Sequence, residues 1–204
     1  MGADEPAFQE RAVRQMTVLI NAGVRCGEDD GLCRIRNVSA AGMNIETSLP
    51  LNVDDAVTIV LQSGRTLDSN VRWIRDGRVG LSCDADPASA LQQERAAPLD
   101  DMAIGALCFE RHLPVQLSVH GFAHLCDLDS ISIRHAVLTS VRTNVQPPQV
   151  VTISIMGLGD LPATIRARKD GVVLARFNAP VSFGLFDPWL VSEQPHSEKR
   201  TAFR

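Results

Sequence analysis

The chain has 204 residues, 45% hydrophobic and 22% charged, a composition that buries a core and excludes a disordered protein. Its formal net charge of -4 and the lack of a long basic run exclude phosphate-driven binding to DNA or RNA. Aromatics make up 4% with no Tyr, so the core must be aliphatic and a stacking platform for single-stranded nucleic acid is excluded.

The first residues, MGADEPAFQER, are acidic and polar, unlike a signal peptide. No apolar run reaches the ~18 residues of a membrane span. Residues 16–25, MTVLINAGVR, alternate as a strand does. GEDDG at 27–31 signals a turn, and LCRIRNV at 32–38 a second strand, with Arg34 and Arg36 opposite Cys33 and Ile35. A corner of six small residues, Asn37 to Gly42, follows. Met43, Ile45 and Thr47 then share a face opposite Asn44 and Glu46. SLPLNVDD turns into the strand AVTIVLQ, and SGR turns into TLDSNVRWIR. The dipeptide Asp76-Gly77 joins that strand to RVGLSCD, as in a two-residue hairpin. About six short strands thus fall within residues 16–84, the spacing of a small barrel or sandwich.

Residues 84–103 break this pattern. Asp86-Pro87 can open a short helix, residues 88–96 continue it, and Pro98 stops it before a linker. The strand pattern then resumes as a repeat. SNVRWIRDGRVGLSCD at 69–84 matches ATIRARKDGVVLARFN at 163–178, with Arg72 and Arg166, Asp76 and Asp170, Gly77 and Gly171 all 94 apart. Arg14 to Val18 also matches Arg111 to Val115, 97 apart, which implies a shorter first turn in the second copy. A repeat this long means two copies of one domain rather than a solenoid. The expected fold is all-β: two small six-stranded antiparallel barrels in tandem, joined by a helix and linker. The expected divisions are 8–84, 85–107, 108–191 and a flexible tail at 192–204. Aligning Ser39 with Ser132 puts Ser130 at the place of Asn37 and His135 at that of Gly42. The second copy therefore fills a corner that the first keeps open, and the first copy reads as the working one.

Other chemistry is sparse. The five cysteines are odd in number and lack CxxC spacing, which points to reduced thiols and a cytoplasmic setting. His120 and His124 sit near a hairpin tip without a third metal ligand. No G-x-S-x-G, P-loop or H-E-x-x-H occurs, and Gly157-Leu-Gly159-Asp160 opens no helix. A non-enzyme without metal or cofactor is the expectation. Arg34, Arg36, Arg72 and Arg75 read as a solvated strand face, with Arg75 and Arg78 adding to a positive patch.

Asn37-Val-Ser39-Ala-Ala-Gly42 fits (D/N)-x-S-x-x-G. Arg11 and Arg14 stand shortly before the first strand, and VRWIRDGRVGLSC closes the unit. This order of motifs resembles the PilZ domain, a small β-barrel that binds the bacterial second messenger cyclic di-GMP. The resemblance covers residues 8–84 by motif and 108–180 through the repeat alone. It implies a ligand site of Arg11, Arg14, Asn37, Ser39 and Gly42. The arginine pair would lie in an arm that clamps phosphate and guanine, and the polar corner would read guanine and backbone. The family pattern is R-x-x-x-R, whereas Arg11-Ala-Val-Arg14 has two intervening residues. The chemistry agrees: a guanidinium fork pairs bidentately with phosphate or with guanine O6/N7. The implied function is a cyclic di-GMP receptor or adaptor that signals to an unidentified effector protein. The alternative is a PilZ-like protein-interaction module that does not bind the nucleotide.

Overall fold

Period-two alternation of apolar and polar side chains builds two barrels, each with its apolar face turned inward. In the computed structural model, residues 16–96 and 107–194 are described. In the first barrel, β1 (Met16–Cys26), β2 (Asp29–Ser39), β3 (Gly42–Glu46), β4 (Ala56–Val60), β5 (Thr66–Arg75) and β6 (Arg78–Cys83) close in the order β1-β2-β3-β6-β5-β4. Helix α1 (Pro87–Ala96) follows. In the second barrel, β7 (Phe109–Val119), β8 (Phe122–Ile131), β9 (His135–Thr139), β10 (Val150–Ile155), β11 (Gly159–Lys169) and β12 (Val172–Phe177) close in the same circular order. Helix α2 (Phe183–Ser192) follows the second barrel. The all-β tandem expectation holds. Closure leaves no free sheet edge in either unit.

The repeat extends to the irregularities. β1 and β7 each carry a bulge, between Thr17 and Ile20 and between Glu110 and Leu113, 93 residues apart. β2 and β8 carry one at Arg36 and Asp129, also 93 apart. β5 and β11 carry one at Arg72 and Arg166, 94 apart. The offset of 97 expected at the start of the copies is therefore corrected to 93, and Arg111 corresponds to Val18 rather than to Arg14. The first turns are equal in length, not shortened in the second copy. Cys26 pairs with Asp29 around Gly27-Glu28, and Val119 pairs with Phe122 around His120-Gly121. GEDDG overstated its turn because Asp29 and Asp30 already belong to β2. Asp76-Gly77 and Asp170-Gly171 both have positive φ, as type I′ hairpin turns require.

Each barrel is plugged by its own helix. Asp86 caps α1: its carboxylate accepts from Ala88 N at 2.9 Å and Ser89 Oγ at 2.7 Å. Ala90 and Leu91 enter the first core beside Ile35, Ile45 and Ile59. α2 inserts Phe186, Trp189 and Leu190 into the second core, where Phe186 stacks on Trp189 and meets Phe109 edge-on. Sequence reasoning did not assign α2. The repeat held the signal, because residue 87 plus 96 is residue 183.

α2 also bridges the barrels. Leu32 of β2 lies in the second barrel's core, and Val191 of α2 packs on the first. Arg111, 6% exposed, donates to Asp30 Oδ1 at 2.8 Å and to Leu190 O at 3.2 Å. Gln194 donates to Asp30 O. Asp187, 2% exposed, accepts from Ser48 N at 2.6 Å. Burial, foremost, pushes the Asp187 carboxyl up to about 6. The five cysteines form no disulfide and are buried or half-buried, and Cys33 pairs with Ala22 across the strands. Residues 195–204, most of the expected tail, lie outside the described residues, as do the linker residues 97–106.

Candidate functional site: an outward row on the first barrel

Strict alternation would place Asn37 and Ser39 on the same face as Ile35, inside the barrel. The bulge at Arg36 reverses that. Ile35 pairs with Ile45 inward, and Asn37 and Ser39 then pair outward with Asn44 and Gly42. On β5 the bulge at Arg72 acts likewise: Val71 points in with Leu81, and Trp73 turns out beside Gly80. Two outward rows result across β2, β3, β6 and β5. One is Asn37, Asn44, Gly80, Trp73; the other is Ser39, Gly42, Ser82, Asn70.

These rows line an open cavity of about 290 Å³ that includes Asn37, Ser39, Gly42, Asn44, Arg72, Trp73, Gly80 and Ser82. The three corner residues named from sequence are thus brought together. The corner itself differs from expectation. It is a hairpin turning on Ala40-Ala41 alone, since β2 runs to Ser39 and β3 begins at Gly42. Ser39 Oγ donates to Gly42 O at 3.3 Å across it. Gly42 is small for a packing reason: a Cβ there would lie 2.1 Å from Leu81 O. Gly80 is small because the Trp73 ring covers it, with ring atoms 2.1 Å from where a Cβ would stand. Trp73 itself remains 44% exposed, a flat aromatic surface at the cavity's edge.

Arg72 is exposed on a solvated strand face, as expected, and also lines the cavity. Its Nε donates to Ser82 Oγ at 2.8 Å, and its guanidinium lies 3.8 Å from Asp54. Arg34 and Arg36 also have partners. Arg34 sits 4.1 Å over the Phe183 ring, and Arg36 pairs with Glu46 at 3.2 Å. Arg75 and Arg78 face each other as an exposed pair at the hairpin end. Arg11 and Arg14 lie outside the described residues, but the described chain begins beside the site, because Thr17 pairs with Asn37 and Met16 with Val38.

In the second barrel the first row becomes Ser130, Val137, Leu174, Ala167, and the second becomes Ser132, His135, Arg176, Thr164. The bulges are kept while the three amides, the two glycines and the tryptophan are gone. Ser132 Oγ instead accepts from the backbone N–H of Arg134 and of His135. Among the described residues, no cluster of three or more His, Cys, Asp or Glu could hold a metal.

Residues 8–97 match the family model for the PilZ domain. The first barrel is a PilZ domain. No curated protein matches the chain. Among solved structures, the chain is similar to the PilZ domain of CeSA from a cellulose-synthesizing bacterium, at 21% identity over 41% of this chain and 89% of that one, TM-score 0.32. It is also similar to the Borreliella burgdorferi PlzA protein in complex with c-di-GMP, at 9% identity over 88% and 93%, TM-score 0.35. A third is the Bacillus subtilis inhibitor of motility MotI/DgrA, at 12% identity over 89% and 98%, TM-score 0.35. Among the described residues, no helix is long and apolar enough to cross a membrane.

Proposed function

We propose that the chain is a cyclic di-GMP receptor and adaptor, with Arg11, Arg14, Asn37, Ser39 and Gly42 at the nucleotide and Arg72 and Trp73 beside them. The observation that carries this reading is the shared cavity of Asn37, Ser39 and Gly42 on the outer wall of the PilZ barrel. A dinucleotide brings two phosphates and two purine faces. Arg72, held by Ser82, suits a phosphate or a guanine edge. Trp73 suits a stacked base. Arg11 and Arg14 precede β1 closely in sequence, and β1 pairs Thr17 with Asn37 at the cavity. Ligand ordering of the segment that bears them would change a surface read by the second barrel or by an effector protein.

The second barrel supports the division of labour, since Ser130, Val137 and His135 stand where the first has Asn37, Asn44 and Gly42. The test is calorimetric titration of cyclic di-GMP into the full chain, with Arg14→Ala and Trp73→Ala alongside. Micromolar or tighter binding that weakens in both variants is expected. No heat and no thermal shift with saturating nucleotide would reject the receptor, because binding to the folded state must stabilise it.

A further inference from the structure

Asn44 holds a place in the site that the corner motif does not assign. It stands between Asn37 and Gly80 in the first outward row and lines the cavity. Its Oδ1 is shielded from solvent and accepts no hydrogen bond from the described residues. A buried acceptor without a donor is a standing cost to the fold. The fold does not require it. At the same register position the second barrel carries Val137, between Ser130 and Leu174, and closes its wall equally well. Valine suits a pleated, half-buried surface better than asparagine does. The first barrel thus keeps an unpaired acceptor where its own repeat shows that an apolar residue suffices.

An unpaired acceptor on a residue that lines a cavity is satisfied by a ligand N–H once the side chain turns toward it. Guanine carries N–H donors side by side on its Watson–Crick edge, at the ring N1 and the exocyclic N2, whereas adenine has a lone pair at N1. We infer that Asn44 is a specificity-determining residue of the nucleotide site: its amide turns toward the cavity so that the oxygen, shielded in the free protein, accepts an N–H from the edge of one guanine next to Asn37. This inference rests on the receptor reading above.

The test titrates cyclic di-GMP and cyclic di-AMP into the full chain and into Asn44→Val and Asn44→Asp, and melts each protein without ligand. Asn44→Val copies the second barrel and should melt at or above the parent temperature. Its affinity for cyclic di-GMP should fall about tenfold, as for loss of one base-reading contact. Its preference for cyclic di-GMP over cyclic di-AMP should narrow. Asn44→Asp keeps an acceptor oxygen and should keep that preference. Unchanged cyclic di-GMP affinity in Asn44→Val would overturn the inference while leaving the receptor intact. Equal loss for both nucleotides would also overturn it, since Asn44 would then serve the shared sugar-phosphate. Loss of the preference in Asn44→Asp would show that the oxygen is not what reads the base. If the parent chain binds neither nucleotide, the receptor reading fails first and this one with it.

Discussion

Replacing Asp187 by Asn should stabilise the protein more at alkaline than at acidic pH. Asp187 is 2% exposed between α2 and the first barrel. One carboxylate oxygen accepts from Ser48 N at 2.6 Å; the other is buried and unpaired. Burial outweighs the hydrogen bonds from Ser48 and Thr47, which hold the carboxyl down. Glu46 adds negative charge, and the Cys33 thiol is raised by burial first and by Asp187 second. Among the described residues no cation pairs with it. The carboxyl therefore rises from 3.8 to about 6, burial being the main cause. A pKa raised on folding contributes stability that is full below the unfolded value and lost as pH rises through the folded one. At ~1.4 kcal/mol per unit, the ionised carboxylate withholds about 3 kcal/mol at pH 8 and about 1.6 kcal/mol at pH 5. Asn carries its own cost for an unpaired N–H, but that cost does not vary with pH. The difference between variant and parent should thus widen by ~1.4 kcal/mol from pH 5 to pH 8, or about 3–5 °C in melting temperature for a chain of this size. Thermal melts at pH 5, 6.5 and 8 measure it directly. A constant gap across that range would refute the argument that Asp187 titrates in the interface.

Three further substitutions probe the joints of the structure. Arg111→Met should cost about 2–3 kcal/mol in urea unfolding, below the range for a fully buried pair because Asp30 is 32% exposed; no loss would mean that the bridge is idle. Gly42→Ala should destabilise by on the order of 3 kcal/mol, since its Cβ would meet the Leu81 carbonyl at 2.1 Å and must spread β3 from β6. Urea unfolding that matches the parent would show the strands to be freer than drawn. Gly80→Ala should push the Trp73 ring off the wall, shifting its fluorescence and weakening cyclic di-GMP several-fold, with the buried Trp189 as an internal reference; unaltered emission would place the ring elsewhere.

The legible parts of the sequence were those that obey a period. The alternation at Cys33 to Ile35 and Met43 to Ile45, the Asp76-Gly77 turn and the Asp86-Pro87 helix start all appear where the pattern puts them. The site was less legible because it depends on departures from period. Counting alternate residues from Val71 sends Trp73 into the core, and only the extra residue at Arg72 sends it out. The same count from Ile35 buries Asn37 and Ser39. A bulge has no composition signature of its own, so Asn44, Arg72, Trp73, Gly80 and Ser82 could not be joined to the corner by spacing. Gly42 was legible as an important glycine, yet its reason lies across the sheet at Leu81. α2 was hidden differently. Its Pro188 argues against a helix locally, and only the offset from α1 predicts it.

That offset also explains how the repeat could diverge in role. The two helices begin as equivalents, but the position of Leu91, fully buried in the first barrel's own core, is taken in α2 by Asp187. A carboxylate cannot serve as a core plug without a large desolvation cost, so this face of α2 must find polar partners outside its barrel. It finds Ser48 N on the first barrel, with Arg34 over Phe183 and Arg111 on Asp30 to either side. β2 thereby carries the interface at Asp30, Leu32 and Arg34 and the cavity at Asn37 and Ser39. The bulge at Arg36 lies between them, and it is the one place on the strand where the register can adjust without breaking the core alternation on either side. A ligand that tightens Asn37 against Asn44 would act on that bulge before any other part of the interface. The second barrel is held where such a change on β2 would reach it through α2.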